Sequence, residues 1–274
     1  MRTLARKTVA RIAALSLFAG FGATSANIAN AQNYDLDDIV QVTLLTGWRM
    51  ASGNHMAAVQ IVLAPGWYTY WRQPGDTGIP PQFNWTASNN LTDARVHWPT
   101  PQVIELGSGS SLGYYDEIVW PLELSRAAPG PATLSGELQI GVCSEVCIPA
   151  TFALSMELPQ KGAQDPRIVE SLKARPRAAR GQLGCAVAPI SDGLSIAVRL
   201  PRAEGADVRR VVIETSDPAV WVSRPEQRIE GGYWYGEAEM VPPDAKPFAL
   251  VRDQVRVTLF GSGAVREYVG CAGY

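Results

Sequence analysis

Histidine is nearly missing from this chain: His55 and His97 are the only two in 274 residues. No HExxH or phosphate-binding glycine loop occurs, so zinc-protease and nucleotide-hydrolase chemistry have no support. Each histidine reads as an ordinary strand or loop residue. Excess charge is also lacking: 24 Lys and Arg stand against 26 Asp and Glu. Such a chain has no basic footprint for nucleic acid. The apolar run from Ile12 to Ala23 is shorter than the roughly 20 residues that span a bilayer, and no membrane insertion is expected. Sustained helical periodicity is absent. Cysteine is scarce too, at four residues, none of them in a C-x-x-C arrangement.

The first stretch has a purpose of its own. Arg2, Arg6, Lys7 and Arg11 form a basic leader, the apolar run follows, and Ala29-Asn30-Ala31 offers an A-x-A cleavage site. This is the layout of a secretory signal peptide over residues 1–31, cleaved near Ala31, and it points to a bacterial periplasm. Losing the four leader cations shifts the formal charge from −2 to −6. Disulfides are stable in that compartment.

The remainder reads as all-β. "IVQVTLLTGW", "HMAAVQIVLAPGW", "ARVHWP", "EIVWPLELS", "ATLSGELQIGV" and "ATFALSMELP" are short runs of β-branched and aromatic residues punctuated by Gly, Pro, Asn and Asp. That spacing predicts a sandwich or barrel. "QKGAQDPRIVESLKARPRAARGQ", residues 160–182, is charged and lacks aromatics, and is expected to be a solvated linker. Within it Asp165 suits a helix N-cap and Pro166 the first helical position. β patterning resumes with "LSIAVRLP", "VRRVVIETSDPAVWVS", "GYWYGEAEMVPP", "QVRVTLFG" and "REYVGC". Two β domains follow from this, 34–159 and a smaller one at 183–274.

The cysteines divide into two kinds. Cys185 and Cys271 lie 86 positions apart, at the two ends of the second β region. A bridge between them would act as a staple, with a stabilisation of about 4–5 kcal/mol in the chain-entropy model. Cys143 and Cys147, in "GVCSEVCIPA", would contribute only about 2 kcal/mol. Residues four apart on one strand are about 13 Å apart, whereas a disulfide needs Cα atoms within about 7 Å. The chain must therefore turn at Ser144-Glu145-Val146, which places the pair near the surface. Exposed bridges tend to be the labile ones. On the residues alone, the pair is a redox centre, a structural bridge or a soft-metal clip.

Three stretches narrow this. "WYTYWRQPGDTGIPPQFNW" (67–85), "GYYDEIVWPLEL" (113–124) and "GVCSEVCIPA" (141–150) occur in that order. Together they make residues 40–158 resemble the N-terminal periplasmic domain of the thiol:disulfide interchange protein DsbD and the corresponding domain of the ScsB proteins. The resemblance implies an immunoglobulin-like β-sandwich in which Cys143 and Cys147 are the redox-active, catalytic pair. It implies no cofactor and no metal. It further implies a monomeric module that takes electrons from a membrane thiol-disulfide reductase and passes them to periplasmic thioredoxin-like proteins, with Cys147 as the attacking thiol. The family shields its bridge with an aromatic cap on a loop. The matching loop here is "SGSSLGYYDE", residues 108–117, whose cap position falls near Ser111-Leu112, where no aromatic stands. Tyr114 or Tyr115 would then take over, with Tyr68, Tyr70 and Trp71 as the other wall. For all of these aromatics the alternative is the sandwich core. DsbD itself spaces its pair more widely, and the second β region has no match in the DsbD pattern.

Two other functions compete. A binding module with two structural disulfides would dock a partner on its Pro- and Trp-rich first domain. A Cu(I) protein would use thiolates with a thioether, for which Met156 is the nearest methionine to Cys147.

Overall fold

The computed structural model describes residues 35–75, 78–107 and 109–274; the expected signal peptide and its cleavage site lie outside them. Among the described residues no helix is long and apolar enough to cross a membrane. The chain is all-β, as its patterning predicts, and builds four sheets.

The first half contributes two of them. One runs in the order β1 (Val40–Arg49), β2 (His55–Leu63), β8 (Glu117–Arg126), β5 (Leu91–Val96). The other runs β10 (Cys147–Glu157), β9 (Thr133–Cys143), β3 (Tyr68–Tyr70), β7 (Gly109–Tyr115), β6 (Gln102–Leu106), with β4 (Gln82–Asn84) also paired to β9. Their inner faces meet in one core. Ala57, Val59, Ile61, Trp120, Leu122 and Leu124 come from the first sheet; Leu112, Tyr114, Leu134, Leu138, Ile140 and Val142 come from the second. The result is an immunoglobulin-like β-sandwich, as aligned antiparallel sheets with alternating inward residues require. Trp71 and Trp120 are fully buried. Each removes roughly 150–250 Å² from water, about 4–6 kcal/mol as an upper bound.

Strand β2 is buried on both faces. Its other face, Met56 and Ala58, packs with Leu45, Val119 and Ile168. Ile168 belongs to α2 (Pro166–Lys173), which starts as expected: Asp165 caps it by accepting from the Arg167 backbone N–H, and Pro166 opens it. The Ser171 hydroxyl donates to the Val119 carbonyl. The expectation of a solvated linker is thus corrected over this helix. Its Ile168 and Ser171, three apart, share one helix face, and that face is pressed on the sheet. A single turn, α1 (Leu36–Ile39), precedes β1.

The second half repeats the two-sheet plan. One sheet is β11 (Arg177–Ala178), β19 (Arg266–Val269), β18 (Arg256–Phe260), β14 (Arg210–Glu214). The other is β15 (Trp221–Val222), β17 (Tyr233–Val241), β13 (Gly193–Pro201), β12 (Gly184–Ile190), β20 (Ala272–Gly273), with β16 (Glu226–Glu230) also on β17. A short α3 (Arg202–Gly205) follows β13. Val198, Leu200, Val211, Ile213, Trp234, Met240, Val257 and Leu259 fill its core. Cys185 and Cys271 are bridged, and β20 lies parallel to β12 beside that bridge.

Strand β14 serves two cores by alternation. Val211 and Ile213 face the second core, while Val212 packs with the first. Period-two alternation puts Arg210, Val212 and Glu214 on one face. Across the register, Phe260 and Thr258 share that face, and Phe260 meets Trp71 edge-on at 6.1 Å.

Candidate functional site

Strands β9 and β10 form one continuous hairpin in which Cys143 pairs directly with Cys147. Ser144, Glu145 and Val146 make the turn, closed by the Ser144 N–H donating to the Val146 carbonyl at 2.8 Å. This is the turn that the spacing demanded. The cysteines are bridged, with Cα atoms 4.0 Å apart. Their environments differ: Cys143 is 1% exposed, whereas Cys147 is exposed. Cys147 is therefore the residue of the pair that is more open to solvent.

Register decides what surrounds the bridge. Directly opposed residues in an antiparallel pair share a face. Tyr68 pairs with Cys143 on one side and with Tyr115 on the other. Tyr68, Tyr70 and Tyr115 therefore share the disulfide's face, and Ile104 joins them through its pairing with Ser111. Tyr68, Tyr70, Ile104 and Cys143 form a small cluster, with Leu106 and Tyr115 packed on it. Tyr68 stands edge-on to Tyr70 at 5.5 Å and to Tyr115 at 5.6 Å. The Tyr70 hydroxyl is 3.8 Å from the Cys147 sulfur. A bridged sulfur has no proton, so the hydroxyl is the donor. Burial, and then Tyr68 beside it, pushes the Tyr70 phenol well above its ordinary value, so it stays protonated. Tyr115 is pushed up by burial and then by Tyr68.

The wall expected from the sequence is corrected here. Residues 108–117 were expected to be a capping loop, but β7 takes up Gly109–Tyr115 as a strand between β6 and β3. Alternation along it sends Leu112 and Tyr114 into the sandwich core, where Trp71 also lies. Tyr114 donates from its hydroxyl to the Pro99 carbonyl at 2.8 Å. Of Tyr68, Tyr70, Trp71, Leu112, Tyr114 and Tyr115, the structure brings Tyr68, Tyr70 and Tyr115 to the bridge. The period-two signal in "YTYW" was legible; which parity faced the cysteines was not.

The cover over Tyr70 comes from the chain that follows it. Trp71 N–H donates to the Leu112 carbonyl and Leu112 N–H to the Pro74 carbonyl, so this stem runs along β7. The chain then folds back over Tyr70. A Cβ on Gly78 would stand 2.1 Å from the Pro74 Cβ and 2.9 Å from the Tyr70 Cδ1, and one on Gly141 3.2 Å from the Ile79 Cβ. A side chain at Gly78 would force Pro74 to shift, and one at Gly141 would crowd Tyr70 and Ile79.

The histidines are elsewhere. His55 is in β2, with Nε2 2.6 Å from the Thr46 carbonyl; His97 lies 3.0 Å from Glu123 and 2.9 Å from Arg175. Met156 is nine residues from Cys147 on the same strand, a distance of about 30 Å. Among the described residues no cluster of three or more His, Cys, Asp or Glu forms.

Fold and site together define a class: a β-sandwich that presents a hairpin-end disulfide, one cysteine exposed and the other buried beside tyrosines. Residues 39–158 match the family model of the thiol:disulfide interchange protein DsbD, N-terminal. Residues 39–158 thus form a domain like the N-terminal domain of DsbD, a thiol-disulfide interchange protein. The crystal structure of the N-terminal periplasmic domain of ScsB from Proteus mirabilis is similar, at 24% identity and a TM-score of 0.60, over 86% of this chain and 94% of that chain. That coverage extends well beyond residue 158, so the second β region, unmatched in sequence, shares the ScsB domain's fold. A solved structure of manganese lipoxygenase of Gaeumannomyces graminis with part of zonadhesin of Komagataella pastoris aligns over 85% of this chain and 92% of that chain, at 12% identity. Its TM-score of 0.16 carries no fold relation. No curated protein matches the sequence.

Proposed function

We propose that this is a periplasmic thiol-disulfide exchange protein that relays electrons through Cys143 and Cys147. The observation that carries the reading is the unequal exposure of the two cysteine residues, Cys143 buried and Cys147 exposed. A partner thiolate attacks the Cys147 sulfur in line with the bridge. The Cys143–Cys147 bond breaks, its electron pair leaves on Cys143 as a thiolate, and a mixed disulfide joins Cys147 to the partner. The partner's second thiolate then attacks its own sulfur and releases Cys147. Two electrons, with two protons, have moved to the pair. In the forward direction Cys147 attacks a substrate disulfide and Cys143 resolves the intermediate. The protonated Tyr70 hydroxyl is placed to donate to the Cys147 thiolate, the nucleophilic form.

The partners this implies are a membrane thiol-disulfide reductase as donor and periplasmic thioredoxin-like proteins as acceptors. Export by the leader peptide, cleaved near Ala31, belongs to the same reading. So does the division into domains at 34–159 and 183–274, with Cys185–Cys271 as the staple of the second. The test is thiol trapping in cell extract. Cys143→Ser should accumulate mixed disulfides at Cys147, and Cys147→Ser should accumulate far fewer. Failure of both variants to trap any protein would return the pair to a structural role.

A further inference from the structure

Strand β10 has a free edge that starts at Cys147. Its register with β9 is unbroken from Cys147 opposite Cys143 to Glu157 opposite Thr133, and among the described residues it pairs with no other strand. Two observations set which of its backbone groups point outward. The Cα atoms of Cys143 and Cys147 are 4.0 Å apart, the close spacing of a pair that exchanges no hydrogen bonds. Pro149, two residues on, has no N–H to give β9 and stands opposite Gly141, in phase with the bridge, where none is needed. Residues of that parity, Cys147, Thr151, Ala153 and Ser155, therefore turn their N–H and C=O groups away from β9 toward the open edge. Among the described residues, the N–H groups of Thr151, Ala153 and Ser155 have no backbone partner there, and all three residues are exposed. Natural edges are guarded by charge, bulges or shortness, because an open edge recruits another strand. The other edges of this sandwich follow that rule. β1 shifts register between Leu45 and Trp48, β5 shifts between Leu91 and Asp93 and carries Asp93 and Arg95, and β6 is five residues long. β10 has neither a bulge nor a charge from Cys147 to Ser155.

We propose that this edge gives the protein a further substrate class: extended polypeptide segments that carry a disulfide-bonded cysteine and dock on β10 as an added antiparallel strand. This rests on the exchange reading above. The geometry of the reaction picks the occupant. Adjacent strands lie about 5 Å apart, and the Cα atoms of a disulfide usually lie about 5.5–6 Å apart. A cysteine joined to Cys147 therefore stands where a neighbouring strand runs. In the antiparallel sense, the residues before that cysteine pass Pro149, Thr151, Ala153 and Ser155. The segment's backbone bonds the outward N–H and C=O groups, while the small outer side chains of Thr151, Ala153 and Ser155 impose little sequence. What is recognised is extended backbone ending in a sulfur. The Cys147 thiolate of the reduced pair attacks the segment's sulfur, and the segment's former partner sulfur leaves as a thiolate. Cys143 then attacks Cys147, the segment's cysteine leaves as a thiolate, and the bridge re-forms. The segment has gained the two electrons that the pair has lost.

The experiment uses the full processed chain as Cys143→Ser, which leaves Cys147 as a free thiol. The probes are thionitrobenzoate disulfides of glutathione and of a short, uncharged Thr/Val peptide ending in cysteine. Cys147 attacks the probe's sulfur, thionitrobenzoate leaves, and its absorbance gives the rate. The peptide should react about tenfold faster than glutathione, as one to two net hydrogen bonds give. N-methylation of the alternate peptide residues that face β10 should remove the advantage, and N-methylation of the others should keep it. Ala153→Pro deletes an outward donor and, as at Pro149, spares the β9 ladder. It should slow the peptide about fivefold, one net hydrogen bond, and leave glutathione unchanged. If Ala153→Pro does not fold, Ala153→Lys guards the edge with a charge and should act the same way. In the trapped peptide complex the Thr151, Ala153 and Ser155 amides should gain protection from hydrogen exchange. Equal rates for the peptide and both its N-methylated forms, untouched by Ala153→Pro, overturn the docking edge and leave exchange intact. Self-association of the chain that Ala153→Lys abolishes assigns the edge to a second copy and also overturns the proposal. A Cys147 thiol that reacts with neither probe overturns the exchange reading and the docking edge together.

Discussion

The Tyr70 hydroxyl stands 3.8 Å from the sulfur of Cys147, the exposed cysteine of the bridge. In the reduced protein the same donor faces a thiolate. A hydrogen bond to a charged group contributes about 1.5–3 kcal/mol, and 1.4 kcal/mol is one pKa unit. Tyr70→Phe should therefore raise the Cys147 thiol pKa by about one unit, because the bond favours the charged form that the variant leaves unassisted. The pH dependence of iodoacetamide alkylation of the reduced protein measures it. An unchanged profile would remove Tyr70 from the thiol chemistry.

The two bridges should reduce in sequence. Cys147 is exposed, whereas Cys185 is fully buried and its sulfur lies 3.2 Å from the Arg252 guanidinium. Mild dithiothreitol should open Cys143–Cys147 well before Cys185–Cys271, as read by alkylation and mass spectrometry. Simultaneous opening would contradict the exposure argument.

Stability should divide the other way. The Cys143→Ser, Cys147→Ser double variant should lose at most about 2 kcal/mol, since so short a loop restrains the unfolded chain little. Cys185→Ser with Cys271→Ser should lose up to about 4–5 kcal/mol and keep exchange at Cys147. Urea unfolding of both variants, beside the trapping assay, distinguishes them. Unfolding of the first sandwich on loss of Cys143 and Cys147 would make that bridge a staple.

Acid should weaken the fold partly through His55. This ring is fully buried in β2. Burial first, then Arg126 and Arg49, lowers its pKa below 6.5, against the Thr46 carbonyl, which raises it. A depressed histidine pKa means the unfolded chain takes up a proton that the folded chain refuses. The stabilisation is whole above about pH 6.5 and is lost as pH falls below it, with a slope of up to about 1.4 kcal/mol per pH unit for one proton. Urea unfolding at pH 7, 6 and 5 should show this slope in wild type and a smaller one in His55→Gln. His97, also lowered by burial, leaves a residual slope. Equal slopes in both proteins would rule out His55 as the source.

Local pattern made much of this molecule legible. Alternation in "ATLSGELQIGV" and "ATFALSMELP" became β9 and β10, and the reach of a disulfide required the turn between Cys143 and Cys147. Asp165 and Pro166 started α2 because capping and a fixed φ act within a turn of chain. These outcomes depend on neighbours a few residues away. The tertiary structure alone decided the rest. Tyr68, Tyr70 and Tyr115 line the bridge while Trp71 and Tyr114 fill the core, because strand register sets which parity faces which side, and a one-residue slip reverses it. The stretch at 109–115 is a strand, not a loop, because β6 and β3 supply partners on both its edges. Arg72 finds Glu214 and Glu267 at sequence separations of 142 and 195. No periodicity reports a contact of that range; it exists because β14 alternates between two cores, and only the packed sheets bring its charged face to the stem beside Tyr70.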